Sequence, residues 1–81
     1  AGIYVQAGVF KQRNNADRLR DKLQQKNLTQ NGDSGSVEVA SWYNAGVYHV
    51  RLGPYANRAD AEKAAGKIKQ TLGAKAIVIN Q

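Results

Sequence analysis

The sequence predicts an α+β fold of order β-α-β-β-α-β, a four-stranded, mostly antiparallel sheet with two helices on one face and the other face open. Three observations predict it. Tyr4-Val5-Gln6-Ala7-Gly8-Val9-Phe10 returns as His49-Val50-Arg51-Leu52-Gly53-Pro54-Tyr55, and the match runs on through Arg13/Arg58, Ala16/Ala61, Asp17/Glu62, Arg18/Lys63, Lys22/Lys67 and Leu23/Ile68. Each copy begins with strand-like alternation and then changes to helical periodicity. Neither strand–helix unit of an 81-residue chain can bury a core alone, so the two must share one sheet. The repeats span about residues 3–28 and 47–73 of what reads as a single domain, 1–81.

Ile3 to Gly8 reads as the first strand. Ile3, Val5 and Ala7 are expected on one face, and Tyr4, Gln6 and Gly8 on the other. Gly8 marks a strand end where a side chain would obstruct the turn or a ligand. A helix follows from about Asn14 or Asn15 to Lys26, with Asn14 and Asp17 as a cap pair and Ala16, Leu19 and Leu23 as its apolar stripe. Asn27 to Ser36, with Asn31-Gly32 inside it, reads as a flexible loop. The second strand runs from about Ser36 to Tyr43, with Val37, Val39 and Ser41 alternating against Glu38, Ala40 and Trp42. Asn44-Ala45-Gly46 is the hairpin turn.

The third strand runs from Val47 to Gly53. Tyr48, Val50 and Leu52 face one way, Val47, His49 and Arg51 the other, and Pro54 stops the strand. The second helix spans Arg58 to Leu72, capped by Asn57 with Asp60 three residues on and ended by Gly73. Ala61, Ala64, Ala65, Ile68 and Leu72 form its buried stripe. Ala76 to Ile79 is the fourth strand, and periodicity leaves its facing open. Right-handed crossovers put the first and third strands side by side at the centre, the ferredoxin-like arrangement shared by RNA-recognition folds.

Composition narrows the function. With no Cys and one His, disulfides and thiolate metal sites are excluded. No run approaches the ~20 apolar residues of a membrane-spanning helix. The start of the chain close to its first strand suggests a module from a longer protein, whose export signal would lie elsewhere. The net charge of +6 calls for an anionic partner or a solvated basic surface. Most of the cations (Arg13, Arg18, Arg20, Lys22 and Lys26, then Lys63, Lys67 and Lys69) fall in helical regions and should face water. The acidic residues form no convincing acid/base pair, so neither catalytic residues nor cofactors are expected.

The two motifs, each a strand with a polar residue, a Gly and an aromatic two places on, followed by an Ala-containing helix, resemble the SPOR family over essentially the whole chain. The wording Gly2-Ile3-Tyr4-Val5-Gln6-Ala7-Gly8 is most similar to SPOR domains of septal lytic transglycosylases. The resemblance implies a bacterial, extracytoplasmic peptidoglycan-binding module. Its ligand would be denuded glycan, whose stem peptides amidases have removed at the division septum. It also implies a non-catalytic monomer that neither enters a membrane nor binds nucleic acid, in the periplasm or cell envelope.

Such a glycan presents lactyl carboxylates on N-acetylmuramic acid, acetamido groups and apolar sugar faces. A receptor needs cations, hydrogen-bonding amides and an aromatic surface. The resemblance places Tyr4, Gln6, Gly8, Val9, Trp42, Val47, His49 and Arg51 on the glycan face. Gln6 and Arg51 match across the repeat, as do Tyr4 and His49, and Arg51 is expected to pair with a carboxylate. SPOR domains often carry an aromatic near the position of Val47, a surface that Trp42 would supply from the neighbouring strand. A four-residue hairpin loop from Tyr43 to Gly46 would set an exposed Trp42 opposite Val47, the reading preferred here. A three-residue loop with a bulge would pair it with Tyr48 and bury it. Gly8 and Gly53 would admit a sugar to the backbone or simply make turns. Phe10, Tyr48 and Tyr55 read as packing residues.

The alternative is an RNA-binding module with the same strand order and a basic charge. Against it, the third strand carries Val47, His49 and Arg51 where stacking rings and an Arg/Lys-Gly-aromatic signature belong. A protein-binding module using sheet edges is a third reading.

Overall fold

A computed structural model describes residues 2–29 and 35–80. Its elements are β1 (Ile3–Phe10), α1 (Arg13–Gln25), β2 (Glu38–Asn44), β3 (Val47–Tyr55), α2 (Arg58–Leu72) and β4 (Ile77–Asn80). The sheet order is β2-β3-β1-β4, and every neighbouring pair is antiparallel. The core lies between the helices and one sheet face. Val5, Ala7, Val50, Leu52 and Tyr55 meet Ala16, Leu19 and Leu23 of α1 and Ala61, Ala64, Ala65 and Ile68 of α2. The small side chains of α2 let its axis approach the sheet closely, while Leu23 and Ile68 fill the larger spaces. The Tyr55 hydroxyl is buried without a partner among the described residues, and burial pushes its pKa up to about 12, so the phenol stays neutral.

The second repeat folds as its caps dictate. The Asn57 side chain accepts a hydrogen bond from the Asp60 backbone N–H at 2.9 Å, and Gly73 closes α2 in the left-handed region. The first repeat departs from expectation. Helix α1 begins at Arg13 with Gln12 at the cap and no side-chain cap bond, so Asn14 lies inside the helix. After α1 the chain turns on itself, and Leu28 N–H bonds to the Leu23 carbonyl. That turn buries Leu28 in the core, within a stretch that reads as loop. Asn31-Gly32 lies outside the described residues.

Both central strands run further than expected, because each contains a bulge. Gln6 pairs with Arg51 and Gly8 with Val50, so Ala7 is the extra residue in β1. Val5 pairs with Leu52 and Ile3 with Tyr55, which leaves an extra residue at Gly53-Pro54 in β3. Pro54, joined by a cis peptide bond, therefore sits within β3 and does not stop it. An extra residue reverses the facing of everything beyond it. Each repeat thus turns its polar residue (Gln6, Arg51) to the open face and its aromatic (Phe10, Tyr55), four places on, to the core.

The β1 bulge corrects the facing of Gly8. A Cβ there would lie 2.8 Å from both Leu19 Cδ2 and Phe10 Cε2, so Gly8 faces the helices and Val9 takes the open face. The hairpin is tighter than expected too. Ala45 and Gly46 form a two-residue turn, both at the positive φ that a type I′ turn requires. Trp42 then pairs with His49, neither with Val47 nor with Tyr48.

Candidate functional site

The registers arrange the open face in rows across the strands. Ala40, Arg51, Gln6 and Ile77 form the central row. Trp42, His49 and Val9 lie on one side of it. Tyr4 and Ile79 lie on the other, with Glu38 beside Gly53. Val47 pairs with Asn44 at the hairpin end. Strand alternation, with the β1 bulge for Val9, brings seven of the eight expected residues onto one surface. The eighth, Gly8, reaches it only through its backbone.

Arg51 organises the centre. Its Nε donates to Gln6 Oε1 at 3.4 Å across the β1–β3 boundary, and its guanidinium carbon sits 4.1 Å from the centroid of the Trp42 ring. A cation over an indole face is held electrostatically as well as by contact. The Trp42 and His49 rings stack with centroids 5.3 Å apart and planes 22° apart. His49 Nε2 lies 3.3 Å from the Asn44 carbonyl, a contact that requires Nε2–H because a carbonyl only accepts. Trp42 is thus on the open face as expected, but half-covered by its neighbours. Arg51 makes no ion pair among the described residues, so the charge at the centre of the face is not neutralised by a salt bridge.

Two shallow depressions flank the Gln6–Arg51 bond. The larger, about 330 Å³, is lined by Tyr4, Glu38, Ala40, Trp42, Arg51, Gly53 and Pro54. The smaller, about 280 Å³, is lined by Gln6, Gly8, Val9, Lys75 and Ile77. Lys75, Ile77 and Ile79 are not among the expected site residues. Ile77-Val78-Ile79 is uniformly apolar, so alternation carries no facing signal. Pairing with β1 settles it: Val78 faces the core, and Ile77 and Ile79 face outward.

The arrangement is built to bind. It offers a planar ring stack, a side-chain amide, a guanidinium and backbone exposed beside a glycine. Among the described residues, no group of three His, Cys, Asp or Glu side chains could hold a metal ion. Fold and face together define an open-faced βαββαβ binding module. Over residues 1–80 the chain matches the SPOR domain family and belongs to it.

Two solved structures share the fold. The peptidoglycan binding domain of the Bacillus subtilis cell wall lytic enzyme CwlC is 30% identical, with a TM-score of 0.70 over 98% of this chain and 89% of that one. The RlpA SPOR domain from Pseudomonas aeruginosa is 21% identical, with a TM-score of 0.72 over 99% of this chain and 100% of that one, a likeness of fold alone. A search of curated proteins gave no significant match.

Proposed function

We propose that this domain is a non-catalytic peptidoglycan-binding module that recognises glycan strands stripped of their stem peptides, and so directs the protein carrying it to the division septum. Membership of the SPOR family supports the class, since SPOR domains are envelope modules of the septum. The CwlC relative, itself a peptidoglycan binding domain, supports the ligand.

The observation that carries the reading is the Gln6–Arg51–Trp42 array. It sets an amide and a cation on the central row with a ring against the cation from the row beside it. Those are the groups needed by an acetamido substituent, a carboxylate and the apolar face of a sugar. Tyr4, His49, Val9 and Val47 extend the surface, and Gly8 contributes backbone. An intact stem peptide would occupy the lactyl carboxylate as an amide and crowd a shallow face. The RNA-binding alternative has no comparable support. Arg51 is the one lysine or arginine within the strands, and Val47 and His49 occupy the β3 positions where the signature of that fold has stacking rings.

Gln6→Ala should weaken binding of a soluble denuded oligosaccharide by roughly 0.5–1.5 kcal/mol, the usual worth of one hydrogen bond. Thermal stability should barely change, because Gln6 faces away from the core and truncation opens no cavity. Calorimetric titration beside a melting curve separates the two effects. Unchanged affinity would move the ligand off the central row.

A further inference from the structure

The internal repeat relates the two depressions to each other. Gln6 and Arg51 face one another across the centre of the sheet, and the repeat relates Gly8 to Gly53 and Val9 to Pro54. On the outer strands, Ile77 pairs with Gln6 as Ala40 pairs with Arg51. Two residues before each stand Lys75 and Glu38. Every residue lining the smaller depression therefore has its counterpart in the larger one. A twofold exchange about the Gln6–Arg51 bond relates the linings of the two sites position by position, and at those positions their chemistry differs. One site carries a lysine where the other carries a glutamate, and the glutamate site adds the Tyr4 and Trp42 rings.

A peptidoglycan strand is also a pair of nearly identical units. N-acetylglucosamine and N-acetylmuramic acid differ by the lactyl group, whose carboxylate is free once the stem peptide is gone. Neither Glu38 nor Lys75 forms an ion pair among the described residues, so no salt bridge there competes with a ligand for either side chain. In the larger depression, the Glu38 charge offsets that of Arg51, and the Arg51 guanidinium lies against Trp42. In the smaller one, the Lys75 charge is unopposed by any lining residue.

We infer that the two sites are divided between the two sugars. Lys75 receives the lactyl carboxylate of N-acetylmuramic acid, and Glu38 with the Trp42 and Tyr4 rings receives the neutral N-acetylglucosamine and repels the acid. The pair fixes the register of the strand across the sheet. Arg51 lines the larger depression together with Glu38, whose like charge to the acid counters its pull there, and adds a general attraction for the anionic strand. This assignment rests on the denuded-glycan reading.

The test uses a soluble denuded oligosaccharide in two forms, with carboxylates free and with carboxylates capped as uncharged amides. Both are titrated against wild type, Lys75→Gln, Glu38→Gln and Lys67→Gln. The last removes the same charge from the exposed side of α2. Lys75 is itself exposed and outside the regular elements, so its variant should keep the wild-type melting temperature.

Wild type should prefer the free form. Lys75→Gln should bind the free form about three- to tenfold more weakly, as expected for one partly exposed charge-assisted contact, and the capped form unchanged. Glu38→Gln should bind the free form at least as tightly as wild type, and Lys67→Gln like wild type. A Lys75→Gln variant that still discriminates free from capped glycan as wild type does would overturn the assignment, as would a Glu38→Gln variant that loses as much as Lys75→Gln. If wild type binds neither form, the glycan reading itself fails and takes the assignment with it.

Discussion

Gly53→Ala should lower the unfolding free energy by about 2–4 kcal/mol, combining overpacking with backbone strain. Gly53 has φ of +150°, where an L side chain is strained, and lies at the β3 bulge. A Cβ there would sit 2.5 Å from Tyr4 Cδ2 and 3.0 Å from the Ile3 carbonyl oxygen. The ring can move only by leaving its place over the glycine, and the carbonyl belongs to the adjacent central strand. The same substitution should therefore disturb the larger depression, which Tyr4 and Gly53 both line. Gly66→Ala is the matched control. A Cβ at that helical position meets nothing within 4 Å, so the change should stabilise the domain by roughly 0.5–1 kcal/mol. Urea unfolding of the two variants measures the contrast. Equal stability of Gly53→Ala and wild type would mean that Tyr4 does not pack over this bulge.

Trp42→Ala should cost about ten- to thirtyfold in glycan affinity, as removal of an aromatic anchor in contact with ligand does. The ring holds the Arg51 guanidinium and backs the His49 ring, and on the proposed function it is also the platform for a sugar. All of this occurs on the face opposite the core, so the melting temperature should fall little. The salt dependence of binding should persist, because stacking is an area effect that salt barely screens. Arg51→Ala, by contrast, should flatten it. Trp42 is the one tryptophan in the chain, so its emission reports directly on the contact. Emission that does not respond to bound glycan would place the ligand elsewhere on the sheet.

Much of this face was legible because the repeat writes the same pattern twice. The match of Gln6 with Arg51 and of Tyr4 with His49 across the repeat puts those residues on one surface without coordinates. Helix α2 was legible to its ends, since Asn57, Asp60 and Gly73 each carry a local signal. Helix α1 was less so: Gln12 caps without a side-chain bond and leaves no mark in the sequence.

The larger errors share one physical cause. Facing in a strand is a parity, and a single extra residue inverts it without changing composition. The Ala7 bulge sent Gly8 to the helices and Val9 outward, and the bulge at Gly53-Pro54 kept Tyr55 in a strand that proline was expected to end. The hairpin register was missed because a type I′ turn needs positive φ at both central positions, which an alanine at 45 disfavours. Lys75, Ile77 and Ile79 could be located only through the pairing of β4 with β1.

The central claim, recognition of glycan without stem peptides, is tested most directly by retention on purified sacculi. The same preparation is used untreated, amidase-treated and lysozyme-treated. Amidase removes stem peptides and exposes lactyl carboxylates; lysozyme cuts the strands that carry them. The domain should be retained on amidase-treated sacculi well above the untreated level, and lysozyme should release it. Equal retention on untreated and amidase-treated sacculi would contradict the account.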